Sequence, residues 1–282
     1  MSKKLEITKD RIKGALYGFA IGDAMGATTE FMTSGQVRDM YGQVTDIIGG
    51  GWLNLDPGQV TDDTQMSICV MDAIIDSHNI TSQFYNNVGN NFVKWYKSNP
   101  PDVGSQCSKG IVAWMEHKHV IDSIDSNGSL MSGNGSLMRA LPCALICRKE
   151  WNQIQGSITH PTRLCHEAIN VYHKVIIDLV YRDKFCFIPY AENKAEPTGY
   201  VVDTLNNALY WAKAYRFEDV ILGAVNDGGD ADTIAAIAGS IGGAKFGYSS
   251  IPIRWIEQLD AKVKNKLDKF INYCLQIDKY GL

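Results

Sequence analysis

No pair of cysteines in this 282-residue sequence is spaced C-x-x-C, and the seven present (Cys69, Cys107, Cys143, Cys147, Cys165, Cys186 and Cys274) follow no regular interval. An odd, scattered set argues against a disulfide framework and reads as reduced core thiols of a cytosolic protein. Cys143 and Cys147, four apart, would share a helical face, but no neighbouring His or Cys completes a zinc set. Long apolar runs are also missing. The stretch from Ala15 to Ile21 is too short for a bilayer and stops at Asp23, and nothing after Lys3 and Lys4 reads as a signal-peptide cleavage site. A cytoplasmic protein without a membrane partner is expected. Excess positive charge is absent too: a net charge of −4 leaves no electrostatic footprint for nucleic acid. No run of alternating β-branched residues occurs, so the expected fold class is all-α.

What is present begins with acid. In Asn226-Asp227-Gly228-Gly229-Asp230-Ala231-Asp232-Thr233, three carboxylates and a threonine surround two glycines, and a small, apolar run follows from Ile234 to Gly239. If that run is a helix, Asp232 and Thr233 fall at its start, where unpaired amides and the dipole favour oxygen. One helix cap needs one side chain, however, and three like charges this close are costly unless a cation or strong donors share the space. Hard oxygen ligands suit Mg²⁺, Mn²⁺ or Ca²⁺, though the spacing of an EF-hand loop is not met. Thr61-Asp62-Asp63-Thr64-Gln65 repeats the arrangement ahead of the apolar stretch from Met66 to Ile75. A capping box is the plain alternative there. Two such clusters together favour metal.

Glycine has its own spacing. Gly14, Gly18, Gly22 and Gly26 recur every four residues, as do Ala235, Gly239, Gly243 and Gly247. Glycine inside a helix costs roughly 1 kcal/mol against alanine, so four on one ridge imply close backbone approach. The two ridges are expected to cross, joining the chain ends into one domain spanning 1–282. From Gly35 to Gly58 the sequence reads as a long loop with Glu30 at its hinge. Helical patterns follow at Phe84–Trp95, Lys109–His119, Arg163–Val180 with Thr162 as cap, Asp203–Tyr215, Phe217–Val225, and from Ile256 to Cys274. Gly128 to Arg139 forms a Gly/Ser loop ahead of Ala140–Ile146 that matches neither the P-loop nor the Rossmann fingerprint and reads equally as an anion nest or an ordinary turn, while Asp183 to Tyr200, with Pro189 and Pro197, reads as a connection. His166-Glu167 is not H-E-x-x-H, because residue 170 is Asn, and His166 and His173 read as helix-surface residues.

The two acidic clusters, together with Gly22-Asp23-Ala24-Met25-Gly26, Glu30, Gly133-Asn134-Gly135-Ser136 and Thr159-His160, resemble the ADP-ribosylglycohydrolase family over most of the chain, from about Arg11 to Trp255. The resemblance implies a single orthogonal helical domain with a binuclear site for two divalent cations, Mg²⁺ or Mn²⁺. It implies Thr61, Asp62, Asp63, Asp230, Asp232 and Thr233 as metal ligands. Gly133, Asn134, Gly135 and Ser136 would line the ADP-ribose site with His160 beside it, and Glu30, Asp62 and Asp63 would be the catalytic carboxylates. Ala231 stands where Thr is usual between the two aspartates, a side chain that need not be a ligand. The implied reaction is hydrolysis of the glycosidic bond between ADP-ribose and an acceptor. That chemistry builds oxocarbenium character at C1′, and the vicinal ribose hydroxyls suit hard cations. The acceptor, a modified protein side chain or a small molecule, is not legible, and ADP-ribosylated nucleic-acid ends stay open. A monomer is expected. A metal-dependent nucleotide phosphohydrolase and a non-catalytic ADP-ribose-binding protein are the competing readings.

Overall fold

The glycine ridges meet. In the computed structural model, which describes residues 3–117, 132–184 and 193–277, helix α1 (Lys3–Gly26) packs along helix α11 (Ala231–Phe246) more extensively than any other pair of elements. A Cβ built on Gly18 would lie 2.2 Å from the Gly239 carbonyl oxygen, and one on Gly22 2.0 Å from that of Ala235. Only a missing side chain allows this approach, which explains the glycines that helix propensity disfavours. The N-terminal and C-terminal thirds of the chain therefore share one core.

Between these two helices run α2 (Ser34–Tyr41), α3 (Asp62–Asp76), α4 (Thr81–Tyr96), α5 (Ser105–His117), α6 (Leu141–Leu145), α7 (Lys149–Ser157), α8 (Arg163–Val180), α9 (Val201–Trp211) and α10 (Phe217–Asp227). Helices α12 (Ile253–Gln258) and α13 (Ala261–Ile277) follow α11. Among the described residues there is no strand, only isolated bridges such as Thr33 with Gly228. The fold is all-α and one body. Helix α11 is its axis: every residue from Ala231 to Ala244 is buried, with α1, α8, α9 and α10 packed around it. No helix among the described residues is long and apolar enough to cross a membrane.

Several expectations change. The stretch expected as a loop from Gly35 to Gly58 contains α2, started by a capping box in which Thr33 and Gln36 exchange side-chain and backbone bonds. Helix α5 begins at Ser105 rather than Lys109. The final helical pattern is broken in two, because the Asp260 carboxylate accepts from the Lys262 and Val263 amides and starts α13. Cys147 does not share a helical face with Cys143. It lies beyond the end of α6 with φ 56°, outside the helical region. Nor is His173 a surface residue: α7, unrecognised in the sequence, covers it, and Asn152 Nδ2 lies 3.0 Å from its Nδ1. Lys118, His119, Gly128 to Met131, Cys186 and Pro189 lie outside the described residues.

Candidate active site

Four chain segments bring acid to one place. Helix α1 ends below the site: its Asp23 is fully buried and accepts the amides of Thr61 and Thr64, each at 2.9 Å. The cap of α3 is thus supplied largely by another helix, leaving the side chains of Asp62 and Asp63 for other work. Past Gly26 the chain tightens into turns, Thr29 Oγ1 donates to the Val225 carbonyl at 2.6 Å, and Glu30 follows. The turn between α10 and α11 closes against the same segment. Gly228 and Gly229 take φ of 75° and 65°, and a Cβ on Gly228 would lie 2.1 Å from the Met32 carbonyl oxygen. Glycine is needed there for both conformation and space. The Phe31 amide donates to Gly229 O and the Gly229 amide to Met32 O, both at 2.7 Å. Glu30 is so held beside Asp230 and Asp232.

The two acidic segments touch directly. Thr233 Oγ1 donates to Asp63 Oδ2 at 3.2 Å, across 170 residues of sequence. One oxygen from each of Glu30, Asp230 and Asp232 falls within 4.8 Å of the others, a group that could hold a metal ion. Capping does not account for these acids. Asp230 occupies the N-cap of α11 without a side-chain cap bond, and Asp232 Oδ1 accepts only from the amide of Thr233 at 2.8 Å. Thr61 is the N-cap of α3, with a long 3.4 Å contact to the Asp63 amide.

The electrostatics are those of crowded, buried carboxylates. Burial, then neighbouring negative charge, pushes Asp62, Asp63 and Asp232 well above the usual carboxylate range. Burial raises Glu30 to about 8 against the opposing bond from Trp52, and Asp230 to about 6 against the bond from Asn134. Asp63 Oδ1 is buried without a hydrogen-bond partner. Like charges and an unpaired buried oxygen are destabilising in a protein-only environment and become favourable around a divalent cation. The donor set, hard oxygens alone, fits Mg²⁺ or Mn²⁺.

A cavity of about 240 Å³ opens on this cluster, lined by Glu30, Asp62, Asp63, Gly133, Asn134, Gly135, His160, Asp230, Asp232 and Thr233. Of the expected site residues, Thr61 and Ser136 are buried behind the wall rather than lining it. Asn134 begins a single helical turn and its Nδ2 donates to Asp230 Oδ2 and, at 3.1 Å, to Thr204 Oγ1. The candidate anion nest loses at least three donors among the described residues, because the Asn134 amide is taken by the Gly199 carbonyl at 3.0 Å and those of Leu137 and Met138 by the Asn134 carbonyl at 2.7 and 3.0 Å. His160 is buried against the loop, such that a Cβ on Gly135 would lie 2.7 Å from its Cε1. Burial and the nearby Arg139 charge hold its pKa down to about 3, so the ring is neutral.

Arg139 underlies this wall, fully buried. Its Nε donates to Gln155 Oε1 (2.7 Å), Nη1 to the Gly135 carbonyl (2.6 Å), and Nη2 to the Gln155 carbonyl and Thr159 Oγ1 (2.8 and 2.7 Å). Thr159 Oγ1 in turn meets His160 Nδ1 at 2.7 Å, leaving Nε2 beside the loop, 3.3 Å from where a Cβ on Gly133 would lie. Sequence reasoning named Arg139 only as the end of a loop. It also missed Asp102, which lines the cavity beside Asp62 and comes with Gly104 from the connection between α4 and α5, while Ser105 to Cys107 line it from the first turn of α5. A lone aspartate after two prolines carries no spacing pattern to find it by.

Comparison with known proteins finds relatives that match nearly the whole chain. The profile of the family ADP-ribosylglycohydrolase matches residues 4–184 and 182–279. The ADP-ribosyl-[dinitrogen reductase] glycohydrolase of Rhodospirillum rubrum is 35% identical, covering 95% of this chain and 96% of that protein. The ADP-ribosylarginine hydrolase Tri1 of Pseudomonas putida (strain GB-1) is 32% identical, covering 89% of this chain and 74% of its own length. A solved structure described as an ADP-ribosylglycohydrolase-related protein complex superposes with a TM-score of 0.78 over 98% of this chain and 100% of that one. At 24% identity it bears on the fold alone.

Proposed function

The chain belongs to the ADP-ribosylglycohydrolase family, and from that premise we propose that it is a metal-dependent hydrolase releasing ADP-ribose from an arginine side chain. The observation that carries this reading is the meeting of Asp63 and Thr233 from opposite parts of the chain, on the wall of a cavity also lined by Glu30, Asp230, Asp232 and the Gly133–Gly135 loop. The arginine acceptor is proposed by likeness to relatives whose names specify it.

Asp62, Asp63, Asp230 and Asp232, with Thr61 and Thr233, would hold two divalent cations, Mg²⁺ or Mn²⁺, and Glu30 lies close enough to join them. When bound, such ions supply Lewis-acid charge to the ribose hydroxyls and to water. The side chains do the rest. The negative cluster stabilises the positive charge that grows at C1′ of the ribose as its bond to the guanidine nitrogen lengthens. A carboxylate among Glu30, Asp62 and Asp63 takes a proton from the attacking water, whose oxygen bonds to C1′. The breaking bond leaves its electron pair on the guanidine nitrogen, which receives the proton that the carboxylate took from the water, so that arginine is freed and the carboxylate regenerated. His160, neutral at working pH, serves as a hydrogen-bonding group at Nε2 rather than as acid or base. Gly133 and Gly135 let the loop approach the ring, and Asn134 ties that loop to Asp230.

The test is product analysis on an ADP-ribosylated arginine substrate with Mg²⁺ or Mn²⁺. Intact ADP-ribose and unmodified arginine are expected, and turnover by Asp62→Asn should fall at least about a hundredfold. Cleavage within the diphosphate would instead identify a nucleotide phosphohydrolase, and binding without turnover a binding protein. Near wild-type turnover by Asp62→Asn would remove the carboxylate mechanism.

A further inference from the structure

Two aromatic rings at the Glu30 end of the cavity are unused by the mechanism above. Phe31 lines the cavity yet is 68% exposed, and Trp52 is 47% exposed. Their ring centroids are 5.4 Å apart with planes inclined at 48°, an open angle rather than a stack.

Neither ring is where it is by default. Phe31 has φ 62°, a left-handed conformation that a bulky residue adopts only when its surroundings impose it. Two backbone bonds impose it: the Phe31 amide donates to Gly229 O and the Gly229 amide to Met32 O. This strain is not repaid by burial, since most of the ring faces solvent. Strained, exposed residues that their frame over-determines are concentrated at binding sites. Trp52 is equally fixed. Gly50 and Leu55 pair through both amides at 2.8 and 3.0 Å, closing the tight turn that carries it, and Thr28 Oγ1 anchors that turn by donating to Gly49 O at 2.9 Å. Its indole Nε1–H donates to Glu30 Oε2 at 2.6 Å.

We propose that Phe31 and Trp52 form the acceptor clamp, receiving the planar guanidinium of the arginine between aromatic faces and the acidic wall, while the indole N–H of Trp52 positions Glu30. The inference rests on the reading of the cavity as an ADP-ribosylarginine hydrolase. A guanidinium suits the place because it is flat, weakly hydrated and cationic. It stacks on aromatic faces and is drawn by the carboxylates beside them. An acceptor that is neutral and not planar, such as a serine hydroxyl, gains nothing from either ring. The pair is thereby a specificity device, separate from the loop around Gly133 to Ser136 proposed for the nucleotide.

The experiment compares wild type, Phe31→Ala, Phe31→Tyr, Trp52→Ala and Trp52→Phe in the full chain with Mg²⁺ or Mn²⁺. It uses an arginine-linked and a serine-linked ADP-ribosyl peptide, with free ADP-ribose titrated calorimetrically. Phe31→Ala should raise KM for the arginine-linked peptide about tenfold with kcat nearly unchanged, as loss of one partly desolvated cation–π contact predicts. Phe31→Tyr should restore it. Trp52→Phe keeps a ring but removes the donor to Glu30, so it should lower kcat with little change in KM, whereas Trp52→Ala should affect both. The Kd of free ADP-ribose should stay within twofold throughout. Unchanged KM in both alanine variants would overturn the clamp. So would an equal loss of ADP-ribose affinity, which would assign the rings to the nucleotide, or a wild-type preference for the serine-linked peptide. A wild type that releases no ADP-ribose from either peptide sinks the hydrolase reading itself, and is told apart by appearing before any substitution is made.

Discussion

Replacing Gly18 by alanine should open the molecule along its axis. A Cβ there would sit 2.2 Å from the Gly239 carbonyl oxygen and 2.9 Å from its carbon, and both atoms belong to backbone that cannot rotate away. An ordinary contact needs about 3.5 Å, so α1 and α11 must part by roughly 1 Å along a stretch where nearly every side chain is buried. Overpacking of this kind costs about 3 kcal/mol, partly offset by the better helix propensity of alanine, worth up to about 1 kcal/mol. For a chain of this length the balance corresponds to a fall in Tm of roughly 4–6 °C. Gly35→Ala is the control: it lies in exposed α2 with nothing nearer than 3.8 Å, and should be neutral or slightly stabilising. The same movement reaches the site, because α1 leads to Asp23 and Glu30 while α11 begins at Asp230 and Asp232. Gly22→Ala, whose Cβ would meet Ala235 O at 2.0 Å, is closer to the cluster than Gly14→Ala, which meets Gly243 O at 2.3 Å. At similar loss of Tm, Gly22→Ala should therefore lose more ADP-ribose release than Gly14→Ala. Thermal denaturation followed by circular dichroism, with the release assay on the same samples, reads both effects. A Gly18→Ala protein melting within about 1 °C of wild type would refute the close-approach argument.

Other outcomes follow from the buried polar groups. Arg139→Lys should destabilise by about 2–4 kcal/mol in urea unfolding, since an ammonium cannot reach the Gly135 and Gln155 carbonyls, Gln155 Oε1 and Thr159 Oγ1 together. A midpoint unchanged from wild type would count against that network. His173 has its pKa held down to about 4 by burial, from an ordinary 6.5. Its contribution is thus present above pH 6.5 and lost as pH falls towards 4, by at most about 3 kcal/mol. His173→Gln should flatten that part of the pH–stability curve, and an identical curve would show that the ring is not the sensor. Mg²⁺ or Mn²⁺ at about a hundred times its Kd should stabilise the chain by about 2.7 kcal/mol, and EDTA should reverse the gain. Asp63→Asn should melt no lower than wild type without metal, because it removes a crowded charge, yet lose the metal-induced rise. Retention of the full rise would remove Asp63 from the ligand set.

Much of the candidate site is legible in local spacing. The paired clusters at residues 61–63 and 230–233 are each confined to a few residues ahead of an apolar run, and Thr162 caps α8 as its position implies. Asp23 shows where such reading stops. It lay in a noticed motif, but its work is to cap α3 from another helix, and a sequence reveals caps only within about three residues of the end they serve. His173 is not legible as a buried residue because the helix that covers it has no clear sequence pattern, and no role for Trp52 or Phe31 is legible because exposed aromatics in a glycine-rich stretch have no periodic signature.

The sequence by itself determined that the chain is helical, that two ridges lacking side chains must lie against backbone, and that acid is concentrated at two helix starts. These properties follow from the spacing of neighbours, which is written along the chain. Which groups meet was decided only by tertiary structure. Asp63 reaches Thr233, Asp102 reaches Asp62, and Trp52 reaches Glu30 because α1 and α11 cross without side chains between them and the turns at their ends are held against each other. No spacing along the chain encodes a distance set by the packing of helices far apart in it.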